Sequence, residues 1–304
     1  KHKDERERSV ALQTLRDDYA PKGHITQDIS SIKGIKTTVA LELLEQVGIE
    51  RLTKAQVISI KNKFKLIESM NKETIITKLA IIFGEPIPQL INHKAFALPS
   101  HPVISVLSSG HVDTLGSGKP INRGGSWHSD HSNTPQPPSG TILHALQLPS
   151  QGGNTRFTNQ TLAYENLSSD MKKKIEGLKA KHVYQSKYST RKMPTRSKVD
   201  EAISPTSFHP IARTHPVTGR KAIYLNPVRT ETIEGMNETD AQVLLDELLA
   251  HSAQDEFQYS HEWKSDDVLL WDNRQTMHMA AADSHLYDRE RRMHRLMIKG
   301  DAPF

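Results

Sequence analysis

Two imidazoles and one carboxylate, separated along the chain but able to meet, constrain this sequence more than any other feature. His128 and Asp130 stand two residues apart in Trp127-His128-Ser129-Asp130, and His278 follows 150 residues later in Trp271-Asp272-Asn273-Arg274-Gln275-Thr276-Met277-His278. Side chains at i and i+2 of an extended strand share a face, with Cα atoms roughly 6.6 Å apart. The spacing therefore predicts that His128 and Asp130 grip one metal ion from one strand, with His278 arriving from a distant strand. Such a set leaves coordination positions open and suits a non-haem Fe(II) centre. The triplet alone is weak, since 16 histidines make short His/Asp patterns common by chance.

The absence of cysteine removes disulfides and thiolate ligands, so a metal must be held by nitrogen and oxygen. It also makes the cytoplasm the expected compartment. No apolar run approaches the ~20 residues that span a bilayer, and Lys1-His2-Lys3-Asp4-Glu5-Arg6-Glu7-Arg8 lacks the apolar heart of a signal peptide. Net charge is +5, but the 40 basic residues are scattered among 35 acidic ones and aromatics are few. Neither a nucleic acid nor a membrane is expected as partner. A small acidic molecule needs only one or two arginines in a pocket. Homo-oligomerisation stays open.

Residues 1–30 read as a charged extension and 31–304 as one domain. Lys72–Phe83 reads as a helix, stopped by Gly84-Glu85-Pro86. The Gly/Ser-rich run from Ser105 to Ser126 reads as a long loop beside the metal strand. Thr141–Leu148 reads as a buried strand ended by Pro149 and a turn at Gly152-Gly153. One or two helices are expected over 162–178, and a hairpin over 209–226 that turns at Pro216–Gly219. Asn237–His251 reads as a helix with Thr239 as its cap and Val243, Leu244, Leu248 and Leu249 inward. Further strands are expected near 257–263, 268–271 and 291–299. Mainly strands with helical decoration argue for a β-sandwich or jelly roll. The basic stretch 184–207 reads as a solvated loop, with a functional lid as the alternative.

In Arg291-Arg292-Met293-His294-Arg295-Leu296-Met297-Ile298, period two puts Arg291 and Arg295 on one face. Either both forks point into the pocket to meet carboxylate or sulfonate, or they form surface pairs with Asp288 and Glu290. Trp271 either packs behind the metal or simply fills the core.

Together these segments resemble the taurine dioxygenase-like family of Fe(II)- and 2-oxoglutarate-dependent oxygenases, which includes phenoxyacid herbicide dioxygenases. The likeness runs from Leu79–Glu85 through Trp127–Asp130, Pro137–Gly140, Leu148–Thr155, Ala163–Leu167, Trp271–His278 and Arg291–Arg295 to Gly300-Asp301-Ala302-Pro303-Phe304. It implies a double-stranded β-helix (jelly roll, cupin-like) holding iron by His128, Asp130 and His278. It also implies O2 and 2-oxoglutarate as cosubstrates, with Arg291 and Thr155 on the far carboxylate, and Arg295 on the acidic head of the prime substrate. Asp130 is retained, so hydroxylation is expected over halogenation. Where taurine-using members carry a histidine and a tyrosine, this chain has Gln89 and Asn92, with His93 beside them, so the substrate is expected to differ from taurine. The rival from another class is a zinc hydrolase, or a non-catalytic metal-binding jelly roll, on the same ligands. No HExxH glutamate is present to favour it.

Overall fold

A computed structural model describes residues 72–88, 96–112, 116, 118, 124–193, 195–202, 205–281 and 283–304. The expected N-terminal extension and the positions Gln89, Asn92 and His93 lie outside the described residues. The chain divides into two compact units, Lys1–Leu79 and Ala80–Phe304, and nearly all described residues belong to the second. No helix among the described residues is long and apolar enough to cross a membrane.

Helix α1 (Lys72–Phe83) forms where the apolar spacing predicts it. It ends at Gly84, whose φ of +153° suits glycine and whose missing Cβ would lie 2.8 Å from Ile298 Cγ2. Short strands β1 (Pro86–Ile87) and β2 (Ala97–Leu98) follow, then β3 (His101–Ser108). The long loop expected from Ser105 thus begins only after Ser108. Residues 105–108 alternate strand-wise between neighbours, and Ser105 is buried, so its polarity misled the reading.

β4 (Gly140–Gln147), β12 (Val268–Asp272) and β14 (Arg292–Ile298) complete the major sheet, in order β12-β4-β14-β3-β2, with β1 on the end of β14. Opposite stands a smaller sheet, β11-β5-β13, from β5 (Thr155–Asn159), β11 (Gln258–His261) and β13 (Thr276–Ala280). The reading from sequence placed His278 on a distant strand without giving its bounds; that strand is β13. Between the sheets, Leu143, Ala145, Trp271 and Met293 meet Phe157 and Trp263 in one apolar cluster. β14 is buried on both faces from Met293 to Ile298, although its sequence alternates charge, because it runs between β3 and β4. Two antiparallel sheets folded face to face make a jelly roll, as expected.

The remaining elements form a helical and β buttress. Helices α2 (Gln160–Glu165) and α3 (Ser169–Ile175) are capped by Asn159 and Ser168, whose side chains accept from the Leu162 and Met171 amides. β6 (Lys179–His182), α4 (Lys198–Ala202) and β7 (Ser207–Pro210) precede the hairpin of β8 (Ala212–Thr214) and β9 (Lys221–Ile223). β10 (Thr230–Ile233) joins β6 and β7 in a second small sheet. Helix α5 (Glu238–Ser252) starts one residue before Thr239: Asn237 is the cap, accepting from the Asp240 amide at 3.0 Å. Val243 points outward, at 62% exposed, and Leu245 lies inward with Leu244 and Leu248. These leucines close a core with Ile175, Ile211, Ile223, Leu225 and Ile233, each contributing about 2 kcal/mol by leaving water.

Under this core lies a histidine pair. His182 and His209 stand 5.2 Å apart, ring to ring, beside Tyr224. Burial holds His209 down to about 4 despite the Thr134 carbonyl that accepts from its Nε2, and holds His182 well below the usual range. Both rings are thus neutral when folded but take up protons near pH 6.5 when unfolded. The unfolded state binds more protons in that window, so stability is intact above pH 6.5 and falls as pH drops toward 4. The thermal midpoint, followed from pH 8 to 5, is expected to decline below 6.5. His209→Gln should flatten that slope by about 1.4 kcal/mol per pH unit; an unaltered slope would contradict the assignment.

Candidate metal centre

The site is built on a single backbone bridge. His128 and His278 face each other in an isolated antiparallel pair, the His128 amide donating to the His278 carbonyl at 3.0 Å and the His278 amide returning to His128 at 2.8 Å. Directly opposed residues of such a pair project to the same side, so both imidazoles leave the backbone together, with ring centroids 4.2 Å apart. The pairing continues where Ala280 N donates to the carbonyl of Gly124, whose φ is +80°.

Asp130 departs from the expected geometry. It sits in a turn rather than on the same strand as His128, and the next residue, His131, adopts a left-handed φ of 44°. The turn is pinned from outside: Ser129 Oγ donates to the Thr276 carbonyl, and Asn226 Nδ2 donates to the Ser129 carbonyl. Tertiary hydrogen bonds achieve what the i/i+2 strand geometry was expected to provide. One potential ligand atom each from His128, Asp130 and His278 lies within 4.8 Å of the others.

The donor set is in the protonation state a cation needs. His128 Nδ1 lies 2.8 Å from the Ser126 carbonyl, which can only accept, so Nδ1 carries the proton and Nε2 keeps its lone pair. Burial, reinforced by His278 and Arg191, keeps His128 well below the usual range; burial also lowers His278 to about 4, although Asp130 opposes it. For Asp130, burial works toward the neutral acid, but the Arg295 guanidinium 2.6 Å away outweighs it and holds the carboxyl well below the usual carboxylate range. Two neutral imidazoles and one ionised carboxylate therefore converge, a set that fits Fe(II). The buried His278 Nδ1 has no hydrogen-bond partner among the described residues.

A buried relay orients the carboxylate. Trp271 Nε1 donates to Asn273 Oδ1 at 3.0 Å, Asn273 Nδ2 to Thr141 Oγ1 at 2.8 Å, and Thr141 Oγ1 to Asp130 Oδ2 at 2.6 Å. Oδ1 receives Arg295 Nη2 at 2.6 Å. Trp271 also lies 4.6 Å from the His278 ring and is buried, so packing behind the triad and filling the core are the same act. Thr141→Val keeps the shape but deletes both hydroxyl bonds. Metal affinity, measured by competition with a chromophoric chelator, is expected to fall about 10–100-fold, and Thr141→Ser should restore it.

Across the cavity, Arg291 and Thr155 come together. Arg291 Nε donates to the Gly153 carbonyl at 2.9 Å and Nη2 lies 3.3 Å from Thr155 Oγ1, which also accepts from Trp263 Nε1. Gly153, at φ +78°, admits the arginine, whose Cδ would stand 3.2 Å from an added Cβ. Both Arg291 and Arg295 line the same cavity as the triad, so the surface-pair alternative does not describe them. Residues that the sequence reading did not single out for the site line it too, among them His131, Arg191, Met193 and Arg229. Arg191 and Met193 belong to the stretch read as a solvated loop. One basic residue among many gives no local sign of facing inward. The positions Gln89 and Asn92 fall outside the described residues.

A family model described as taurine catabolism dioxygenase TauD, TfdA family, matches residues 39–297. The chain belongs to that family. A Schizosaccharomyces pombe relative with alpha-ketoglutarate-dependent sulfonate dioxygenase in its name is 39% identical over 181 residues, 59% of this chain and 45% of the relative. An alpha-ketoglutarate-dependent 2,4-dichlorophenoxyacetate dioxygenase of Burkholderia sp. (strain RASC) is 36% identical over 153 residues, 50% of this chain and 51% of its own. The chain thus spans about half the length of these curated relatives. The crystal structure of AAD-2 in complex with Mn(II) and N-oxalylglycine aligns with a TM-score of 0.61 at 26% identity, covering 83% of this chain and 90% of that one. The TauD/TfdA jelly roll is therefore the fold of this chain, with the His-Asp-His cluster in the cavity between its sheets.

Proposed function

We propose that this protein is an Fe(II)- and 2-oxoglutarate-dependent dioxygenase that hydroxylates a small acidic organic substrate. Substrate, O2 and 2-oxoglutarate would give hydroxylated product, succinate and CO2. The observation that carries the reading is the convergence, in one cavity, of the His128–Asp130–His278 set with the Arg291–Thr155 pair. The names of the relatives support it, as does the neighbouring structure bound to Mn(II) and N-oxalylglycine, a chelating diacid shaped like 2-oxoglutarate.

His128, Asp130 and His278 would hold the iron, which when bound supplies the O2 activation and C–H oxidation. Arg291 and the Thr155 hydroxyl would take the far carboxylate of 2-oxoglutarate, fixing its reach toward the triad; a guanidinium fork matches a carboxylate edge. Leu107, Leu143 and Trp271 wall the cavity with apolar surface and exclude water. Arg295 would hold the acidic head of the substrate, whether sulfonate, sulfate or carboxylate.

Under anaerobic conditions, Fe(II) plus 2-oxoglutarate should produce a weak visible charge-transfer band, and air should then yield succinate. Neither signal would leave a zinc hydrolase or a non-catalytic metal-binding jelly roll on the same ligands. Arg291→Ala should raise the 2-oxoglutarate concentration needed for the band by about tenfold or more, with the metal affinity little changed.

A further inference from the structure

The cavity holds a cation whose place no local pattern announces. Arg191, on the segment between β6 and α4, lines the same cavity as Arg295. Its charge reaches Asp130, His128, His278 and Arg295. The other arginines of the cavity already donate to protein acceptors, that of Arg295 being the carboxylate a bound cation would share. Arg291 donates to Gly153 and Thr155, Arg295 to Asp130, and Arg229 Nη1 to Asn133 Oδ1 and the Tyr184 carbonyl. By contrast, Arg191 Nε is buried and has no hydrogen-bond partner among the described residues. A buried donor without an acceptor costs about as much as a charge-assisted hydrogen bond contributes. The position of Arg191 on the cavity wall makes the cavity the place from which that acceptor would come.

Charge accounting points the same way. With a divalent ion matched to Asp130 and the near carboxylate of 2-oxoglutarate, and Arg291 to the far one, Arg191, Arg229 and Arg295 remain as positive charge facing whatever else enters. We propose that Arg191 and Arg295 jointly grip the anionic head of the prime substrate, and that this double grip selects heads with three acceptor oxygens over a carboxylate. The inference rests on the dioxygenase reading above and names a specificity-determining residue within it. A planar carboxylate offers two oxygens in one plane, which a single guanidinium fork satisfies. A sulfonate or sulfate offers three oxygens in a tetrahedral arrangement, so a second fork finds an acceptor that the first leaves free.

The test uses the full chain loaded with Zn(II) and 2-oxoglutarate, which binds without turning over. Calorimetric titration compares butane-1-sulfonate with pentanoate, a pair matched in chain length. The wild-type protein should bind the sulfonate the more tightly, and Arg191→Gln should weaken the sulfonate about tenfold or more while changing pentanoate by less than about threefold. Arg191→Lys should recover part of the affinity but not the preference, because an ammonium is a point charge rather than a fork. A thermal midpoint measured on each variant reports folding. Unchanged sulfonate binding in Arg191→Gln, or equal losses for both acids, would overturn the role of Arg191. Wild-type protein that binds neither acid would overturn it as well. The titration of 2-oxoglutarate into the Zn(II) protein separates the two levels: no binding there sinks the dioxygenase reading itself, whereas binding there with no effect of Arg191→Gln sinks only the selectivity.

Discussion

His278→Ala is expected to abolish tight metal binding and, for the dioxygenase activity proposed above, to reduce 2-oxoglutarate turnover by roughly a thousandfold or more, since ligand sets act as units rather than as sums. The backbone bridge that positions the residue uses only its amide and carbonyl, so alanine keeps the register and removes one imidazole from a buried wall. Asp130→Ala loses the same metal affinity but disturbs the fold more. Its carboxylate lies 2.6 Å from Arg295, whose side chain is 8% exposed, and deleting one partner of a buried ion pair costs about 3–5 kcal/mol. Metal content by atomic emission and the thermal midpoint, taken together on both variants, check this ordering. A His278→Ala protein that retains iron at wild-type affinity would remove that residue from the centre.

Gly300→Ala is expected to be the most destabilising small substitution in the chain's last strand-and-tail region. A Cβ there would meet the Pro137 carbonyl oxygen at 1.9 Å and the Ser139 nitrogen at 2.7 Å, both backbone atoms that no rotamer change can move aside. The contact matters because the tail locks the start of β4: Ser139 N donates to the Ile298 carbonyl and Ser139 Oγ to the Lys299 carbonyl. Two residues on, Thr141 bonds Asp130. Forcing the backbones apart should cost about 3 kcal/mol and lower the thermal midpoint by about 5 °C or more. Through Thr141, metal affinity should drop as well. A midpoint within a degree of wild type would show that the tail yields freely.

Several elements were legible from local pattern because local physics sets them. Helix α1 follows apolar spacing closed by Gly84, β4 follows a largely apolar run ended by Pro149, and the hairpin of β8 and β9 follows its turn residues. Where the reading erred, distant atoms had decided the outcome. Asn237 rather than Thr239 caps α5, although either residue could offer an acceptor, and Leu245 rather than Val243 faces the core. Residues 105–108 look loop-like, yet they form a strand because β14 lies beside them with open hydrogen-bonding groups.

The same division runs through the candidate site. The types and spacing of His128, Asp130 and His278, read together with the motifs around them, were enough to name a nitrogen–oxygen donor set. Chemistry of this kind is written in side-chain identity. How the three meet was not so written: a bridge between residues 150 apart aims the imidazoles, and bonds from Thr276, Asn226 and Thr141 aim the carboxylate out of a turn. Arg191 shows the limit most clearly, because a guanidinium in a basic stretch has the same sequence signature whether it faces water or a cavity. Only the path of the backbone, set by packing across the whole fold, distinguishes the two.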